Sequence, residues 1–280
     1  MTGPEATTES SSNGNGGEPK IYFLPNLFTA GNLFCGFLAL TRIVEADLSQ
    51  GYGPIQEALL LILLACIFDA LDGRVARMGG YESPFGREFD SLADIVSFGV
   101  APAFLVHRVV LKDVFGSHAE IGWFIASIYV ICGALRLARF NCLAAMPDRE
   151  NDKEFVGFPI PAAAGLVASV TLFLIWMETN DYVAPVNWKY ALPILLVFLS
   201  IMMVSRVKYP TFKRIDWRAP RSFAKMVVAT LIVGFLFTVG RRYLPVVMPI
   251  IFISYLIYGF VRPFISRRMR RDIEEDPAGA

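Results

Sequence analysis

Histidine and closely spaced cysteine, the usual ligands of structural zinc, are scarce in this chain. The 280 residues include two histidines and four cysteines. His107 and His118 are isolated from one another, and no two cysteines have C-x-x-C spacing. The sequence therefore favours neither a zinc site nor a disulfide framework, and buried apolar roles are the default for the cysteines.

Charged residues are also few, at 18% of the chain, whereas 55% are hydrophobic and the mean hydropathy is +0.49. Apolar runs of about 20 residues, the length that crosses a bilayer as a helix, recur throughout. These runs are continuously apolar, whereas the strands of a membrane β-barrel alternate polar and apolar residues. The sequence predicts an all-α, multi-pass membrane protein. Eight spans are expected, at residues 22–44, 55–77, 90–111, 121–142, 158–178, 188–205, 222–240 and 243–262.

Lysine and arginine concentrate in the loops on one side of these spans. Cytoplasmic loops near span ends collect positive charge, so this side is predicted to be cytoplasmic and to hold both termini. The cations concerned are Lys20, Arg87, Arg149, Lys153, Arg206, Lys208, Lys213, Arg214, Arg218, Arg221, Arg267, Arg268, Arg270 and Arg271. We expect a disordered cytoplasmic tail at 1–19, a membrane domain at 20–265 and a charged cytoplasmic tail at 266–280.

Four aspartates, at Asp69, Asp72, Asp90 and Asp94, interrupt two apolar runs. Each pair falls on one face of its helix, and a turn between residues 78 and 87 makes both faces converge at the cytoplasmic end. A charge in mid-span costs about 2.5–3.5 kcal/mol, so a cation has to offset the cluster. Carboxylate oxygens suit Mg²⁺ or Mn²⁺, and four of them suit a pair of ions that binds phosphate. Helix-end capping is the alternative for one or two of the aspartates.

Small and basic residues share the acidic face. Gly73, Ala76 and Gly86 either form the floor of a pocket or pack against another helix. Arg77 either grips a phosphate or extends its charge to the membrane surface.

Two further polar groups lie in apolar runs. Asn26, Thr29 and Asn32 form a stripe in the first span, which serves either a pocket or hydrogen bonds between helices. Arg136 and Arg139, one helical turn apart, are placed to clamp a carboxylate, to hold a lipid phosphate, or to pair with acidic residues.

The order of residues from Asp69 to Asp94 is D-x-x-D-G-x-x-A-R-x8-G-x3-D-x3-D. This pattern resembles the signature of the CDP-alcohol phosphatidyltransferase family, membrane enzymes in which an alcohol displaces CMP from a CDP-linked lipid. Other segments resemble the bacterial and archaeal phosphatidylserine-forming branch. They are PNLFTAGNLFCG at 25–36, DSLADIVSFGVAPA at 90–103, GALRLARFN at 133–141, GFPIPAAA at 157–164 and MVSRVKYPTFK from 202 onward.

The resemblance implies transfer of a phosphatidyl group from CDP-diacylglycerol to L-serine, by direct attack of the serine hydroxyl. Asp94 would be the general base, and two Mg²⁺ or Mn²⁺ ions would be held by Asp69, Asp72, Asp90 and Asp94. It also implies a homodimer in the cytoplasmic membrane, and no nucleic-acid partner is expected. Residues expected to contact the CDP-lipid are Asn26, Thr29, Gly73, Ala76, Arg77, Ser83 and Gly86, and those for serine are Arg136 and Arg139.

Other functions remain open at this point. The same reaction with glycerol 3-phosphate or inositol phosphate as acceptor requires additional cations near the site. A membrane cation transporter also uses aspartates inside the bilayer. A lipid-binding scaffold without activity is disfavoured because every carboxylate of the pattern is present.

Overall fold

The computed structural model describes residues 23–80, 83–144, 154–180, 182, 190–210 and 243–261. This part is helical apart from two three-residue strands. The helices are α1 (Phe23–Glu45), α2 (Gly53–Gly79), α3 (Pro84–Val114), α4 (Ala119–Ala144), α5 (Ile160–Thr179), α6 (Ala191–Val204) and α7 (Leu244–Val261), and the strands are β1 (Glu154–Val156) and β2 (Lys208–Pro210). Both predicted tails and the predicted span 222–240 lie outside the described residues.

Helices α1 to α5 are long and apolar enough to cross a membrane, and they correspond to the first five predicted spans. The all-helical, multi-pass membrane class is therefore confirmed. Helices α6 and α7 fall on the sixth and eighth predicted spans. They are apolar but shorter, and α6 has 14 residues. The count of eight spans stays a prediction.

The segment between α2 and α3 is short, since α2 ends at Gly79 and α3 begins at Pro84. Gly80 ends α2 with φ +63°, a left-handed conformation that favours glycine. Ser83 then caps α3 because its Oγ accepts a hydrogen bond from the Gly86 N–H at 3.0 Å, and Pro84 occupies the first helical turn. Both helices therefore extend into the segment 78–87 that was predicted to be the turn. The predicted end of the second span and start of the third were wrong by several residues.

Helix α3 changes its winding directly after Asp94. Residues Ile95–Val100 and His107–Leu111 are π-helical. Pro102 has no N–H to donate to the Phe98 carbonyl one turn earlier. The fully buried Tyr129 of α4 donates its hydroxyl to that carbonyl at 3.2 Å instead. The wider turn is thus stabilised by a contact that ties α3 to α4.

The region preceding α5 is fastened to the end of α6. Strands β1 and β2 pair antiparallel, and the Gly157 and Phe158 N–H groups donate to the carbonyls of Val207 and Met202 at 2.9 and 3.1 Å. Gly157 has φ +88°, and a Cβ there would collide with the Met203 carbonyl oxygen. This junction brings the end of α6 beside the end of α4.

Candidate active site

Three carboxylates meet where α2 ends and α3 begins. One oxygen from each of Asp69, Asp72 and Asp90 lies within 4.8 Å of the other two. Asp69 and Asp72 on α2 thus approach Asp90 on α3 although 18 or more residues separate them in sequence. The arrangement has the oxygen-only ligands that divalent ions such as Mg²⁺ and Mn²⁺ prefer, and the cluster could hold such an ion.

Asp94 lies one helical turn further along α3 than Asp90, and its side chain is almost fully buried. Asn32 of α1 donates its amide Nδ2–H to Asp94 Oδ1 at 3.1 Å. The four aspartates of the pattern therefore form one acidic group, in which Asp72 and Asp94 are buried and Asp69 and Asp90 are half-buried.

Helix α1 supplies a hydrogen-bond donor to each half of this acidic group. Thr29 Oγ1 donates to Asp72 Oδ2 at 2.9 Å, and Asn32 donates to Asp94. Both α1 side chains are buried. The sequence left two roles open for this polar stripe, contact with a pocket or hydrogen bonding between helices. Thr29 and Asn32 form hydrogen bonds between helices. The expected contact of Thr29 with a CDP-lipid stays a prediction.

Several residues expected to bind the CDP-lipid lie together beside the carboxylates. A Cβ at Gly86 would stand 3.2 Å from Ser83 Oγ and 3.4 Å from Asn26 Oδ1, so these three residues meet. On α2, a Cβ at Gly73 would stand 3.4 Å from a guanidinium nitrogen of Arg77. Ala76 is half-buried, and its carbonyl accepts from the Gly80 N–H that ends the helix. The two glycines therefore lie where polar side chains come together.

The two arginines of α4 have different surroundings. Arg136 is 7% exposed, and its Nε has no hydrogen-bond partner. Arg139 donates through Nη1 to the Val204 carbonyl and through Nη2 to the Ser205 carbonyl, both at 3.3 Å. Arg136 is therefore a buried guanidinium with an unpaired nitrogen, whereas Arg139 holds the end of α6 in place. The sequence spacing alone did not predict that Arg136 and Arg139 have different surroundings.

The described residues contain five buried side-chain atoms without a hydrogen-bond partner, and all lie on helices around the aspartates. Buried polar atoms are normally paired, so such a concentration indicates a place where ligands complete the pairing. Asp90 Oδ1 is a bare carboxylate oxygen, which fits a divalent cation. The atoms are Asn26 Nδ2, Asn32 Oδ1, Asp90 Oδ1, Arg136 Nε and Asn141 Oδ1.

Two residues of the site were not identified from the sequence as partners of the aspartates. In the sequence, Asn32 was one member of a polar stripe. Its spacing from Thr29, which puts both on one helix face, was the available signal that it contacts the aspartates. Asn141 of α4 donates its amide to Ser91 Oγ at 3.0 Å and to Glu88 Oε2 at 3.3 Å, which fixes α4 against the start of α3.

Comparison with known proteins agrees with this geometry. Residues 22–202 match the family model described as CDP-alcohol phosphatidyltransferase, a stretch that includes the whole acidic group.

Similar curated proteins cover most of the chain. A CDP-diacylglycerol–serine O-phosphatidyltransferase of Helicobacter pylori is 35% identical over 242 residues, which are 86% of this chain and 91% of that protein. The protein of the same name from Bacillus subtilis is 35% identical over 196 residues, 69% of this chain and 92% of that protein. An archaetidylserine synthase of Methanothermobacter thermautotrophicus is 33% identical over 189 residues, 67% and 69% of the two chains. This chain belongs to the CDP-alcohol phosphatidyltransferase family.

Proposed function

We propose that this protein transfers the phosphatidyl group of CDP-diacylglycerol to L-serine and releases phosphatidylserine and CMP. The observation that carries the proposal is the buried acidic group, in which three carboxylates approach within 4.8 Å and a fourth lies one turn away. The names of the Helicobacter and Bacillus relatives support serine as the acceptor.

The acidic group is proposed to hold two divalent ions, Mg²⁺ or Mn²⁺, on Asp69, Asp72, Asp90 and Asp94. When bound, these ions supply the positive charge that offsets the diphosphate and the departing CMP. The unpaired Asp90 Oδ1 supports this assignment, as does the oxygen-only character of the ligands. Thr29 and Asn32 hold Asp72 and Asp94 in fixed orientations.

The CDP moiety is proposed to lie over the junction of α2 and α3. Gly73, Ala76 and Gly86 let it approach the helix backbone, and Arg77 receives a phosphate. Asn26 and Ser83 face the same space beside Gly86, and the unpaired Asn26 Nδ2 is a donor available to the ligand. Thr29 is proposed to contact the CDP moiety through Oγ1, the same oxygen that donates to Asp72.

Asp94 is proposed as the general base. The serine hydroxyl oxygen bonds to the β-phosphorus while the bond from that phosphorus to CMP breaks, and the hydroxyl proton passes to Asp94. An intermediate on the enzyme is not needed. Cys66 lies one turn before Asp69, but its thiol donates to the Pro161 carbonyl at 3.5 Å.

Serine is proposed to bind with its carboxylate at Arg136, with Arg139 one turn away as the second guanidinium of the clamp. Arg136 has the stronger support because it is buried and its Nε lacks a partner. A guanidinium in this position binds a carboxylate through two parallel hydrogen bonds.

The site is proposed to open to the cytoplasm. The turn between α2 and α3 lies on the side where loop lysines and arginines concentrate. We also propose the membrane domain at 20–265, the two cytoplasmic tails, eight spans and a homodimer; the last follows the family resemblance.

A comparison of acceptors tests the proposal. Purified full-length protein is incubated with CDP-diacylglycerol, a divalent metal and labelled serine, glycerol 3-phosphate or inositol phosphate, and lipid product and CMP are measured. We expect a serine lipid and an equal amount of CMP. A product from a phosphorylated alcohol, with none from serine, would retain the reaction type and overturn the acceptor.

A further inference from the structure

Asn32 occupies an unusual position between α1 and α3. Its backbone carbonyl accepts a hydrogen bond from Ser97 Oγ at 3.0 Å. Gly36, one turn further along α1, approaches Ser97 so closely that a Cβ at Gly36 would overlap the serine side chain. The backbone of α1 is thus packed closely against α3 at this level, where the Asn32 side chain bonds Asp94.

The orientation of the Asn32 amide follows from its partner. Asn32 Nδ2–H donates to Asp94 Oδ1 at 3.1 Å, so the NH₂ end of the amide faces Asp94. The other end, Oδ1, is bonded to the same carbon and therefore lies beside Asp94. It has no hydrogen-bond partner, and the side chain is 0% exposed, so bulk water does not supply one.

An unpaired carbonyl oxygen next to the general base calls for a donor from a ligand. The donor substrate is proposed to lie elsewhere on α1, since Asn26, which meets Ser83 beside Gly86, is six residues from Asn32 along the helix, about 9 Å at 1.5 Å per residue. The acceptor is at Asp94. Of its three polar groups, the carboxylate does not donate and the hydroxyl proton goes to Asp94. The ammonium, with three N–H bonds, is the remaining donor.

We infer that Asn32 is the residue that recognises the ammonium group of the acceptor amino acid, through Oδ1, while its Nδ2–H positions Asp94. This inference rests on the proposed function. Serine is then read at three points: its carboxylate at Arg136, its hydroxyl at Asp94 and its ammonium at Asn32. An alcohol without an ammonium group leaves the buried Asn32 Oδ1 without a hydrogen-bond donor. Such an alcohol is therefore expected to have a lower kcat/KM than serine.

Two analogues of serine separate this role from a purely structural one. 3-Hydroxypropanoate is serine without the ammonium, and ethanolamine is serine without the carboxylate. Full-length enzyme in detergent is assayed with each as an acceptor, or as a competitive inhibitor where turnover is too slow to follow. The wild type is expected to prefer serine to 3-hydroxypropanoate by roughly 10⁴-fold in kcat/KM, as in sites built to hydrogen-bond a substrate polar group.

In Asn32→Leu, the preference for serine over 3-hydroxypropanoate is expected to fall by about tenfold or more, equivalent to about 1.4 kcal/mol. The preference for serine over ethanolamine is expected to stay within about threefold of the wild type, because both carry the ammonium. These ratios do not depend on the fraction of active protein. Equal changes in both ratios, or in neither, would overturn the inference and leave Asn32 as a support for Asp94 alone.

Asn32→Asp provides a second variant with the opposite expectation. It keeps an acceptor oxygen for the ammonium but loses the N–H that holds Asp94, so kcat falls while the preference for the ammonium remains. Thr171→Val is the matched control, since Thr171 is equally buried and donates only to Val167 of its own helix at 2.7 Å. Both of its selectivity ratios should equal those of the wild type.

The wild type alone also decides the matter if the Asn32 variants do not fold. Use of 3-hydroxypropanoate within threefold of serine would overturn the inference while leaving the proposed function intact. Absence of any serine lipid would overturn both.

Discussion

The Thr29 hydroxyl donates to Asp72 Oδ2 across 2.9 Å, joining residues that are 43 positions apart in sequence. The threonine is 3% exposed and the aspartate 5% exposed, so water does not replace this bond when it is lost. The first helix is therefore part of the candidate active site, although it contributes no carboxylate to it.

Replacing Thr29 with valine removes that donor and keeps the shape of the side chain. A hydrogen bond to a charged group is worth about 1.5–3 kcal/mol, so we expect roughly a tenfold or greater loss in kcat/KM for the lipid substrate. Steady-state kinetics on purified variants measures it. Thr171→Val, which removes a buried hydroxyl on α5, is the control and should retain wild-type turnover. Equal kinetics in the two variants would mean that Thr29 does not support Asp72.

Asp94→Asn should abolish serine-dependent CMP release while the variant still binds CDP-diacylglycerol. The substitution keeps the Oδ1 that accepts from Asn32 but removes the base, and general-base catalysis contributes about 10²–10⁴-fold to a rate. CMP release and equilibrium binding of the lipid substrate are measured side by side. Asp47→Asn is the control, because Asp47 lies in the exposed loop between α1 and α2, where it bonds Ser49 and Gln50. Full turnover in Asp94→Asn would remove Asp94 as the base.

The arginines of α4 should respond differently to substitution. Arg136→Gln is expected to raise the KM for serine by roughly tenfold or more, the effect of losing a charged hydrogen-bond donor to the carboxylate. Arg139→Gln loses the bonds to Val204 and Ser205, so its main effect should be a lower Tm. Serine-dependent kinetics and thermal unfolding are both recorded. Should the KM for serine rise more in Arg139→Gln than in Arg136→Gln, the carboxylate site has been placed on the wrong residue.

Gly36→Ala tests the close contact of α1 with α3. The added Cβ overlaps Ser97, and overpacking of this kind costs about 1–3 kcal/mol. We expect a lower Tm and a lower kcat, because moving α1 outward also pulls Asn32 from Asp94. Gly53→Ala is the matched control, since a Cβ at Gly53 has open space around it. Unchanged stability and turnover in Gly36→Ala would show that this contact does not hold the site together.

Much of the site was predictable because helix geometry determines which aspartates share a face. Asp69 with Asp72, and Asp90 with Asp94, are spaced by three and four residues, which puts each pair on one face. The cap at Ser83 and the left-handed Gly80 are local signals of a short turn. Together they were sufficient to predict that the two acidic faces meet.

Other features depend on packing between distant segments and were not predictable. The pairing of Asn32 with Asp94 requires a particular register of α1 on α3, set by Gly36 and Ser97. The π-helical winding after Asp94 depends on Tyr129 of α4 as much as on Pro102. Likewise, the difference between Arg136 and Arg139 arises because the end of α6 lies beside only one of them.

Dependence of the reaction on a divalent metal tests the central claim most directly. Purified protein is treated with a chelator, then titrated with Mg²⁺ or Mn²⁺ in the presence of CDP-diacylglycerol and labelled serine. We predict no product after chelation, and labelled phosphatidylserine with an equal amount of CMP as metal is restored. Formation of the serine lipid at an undiminished rate without metal, or of none with it, would contradict the account.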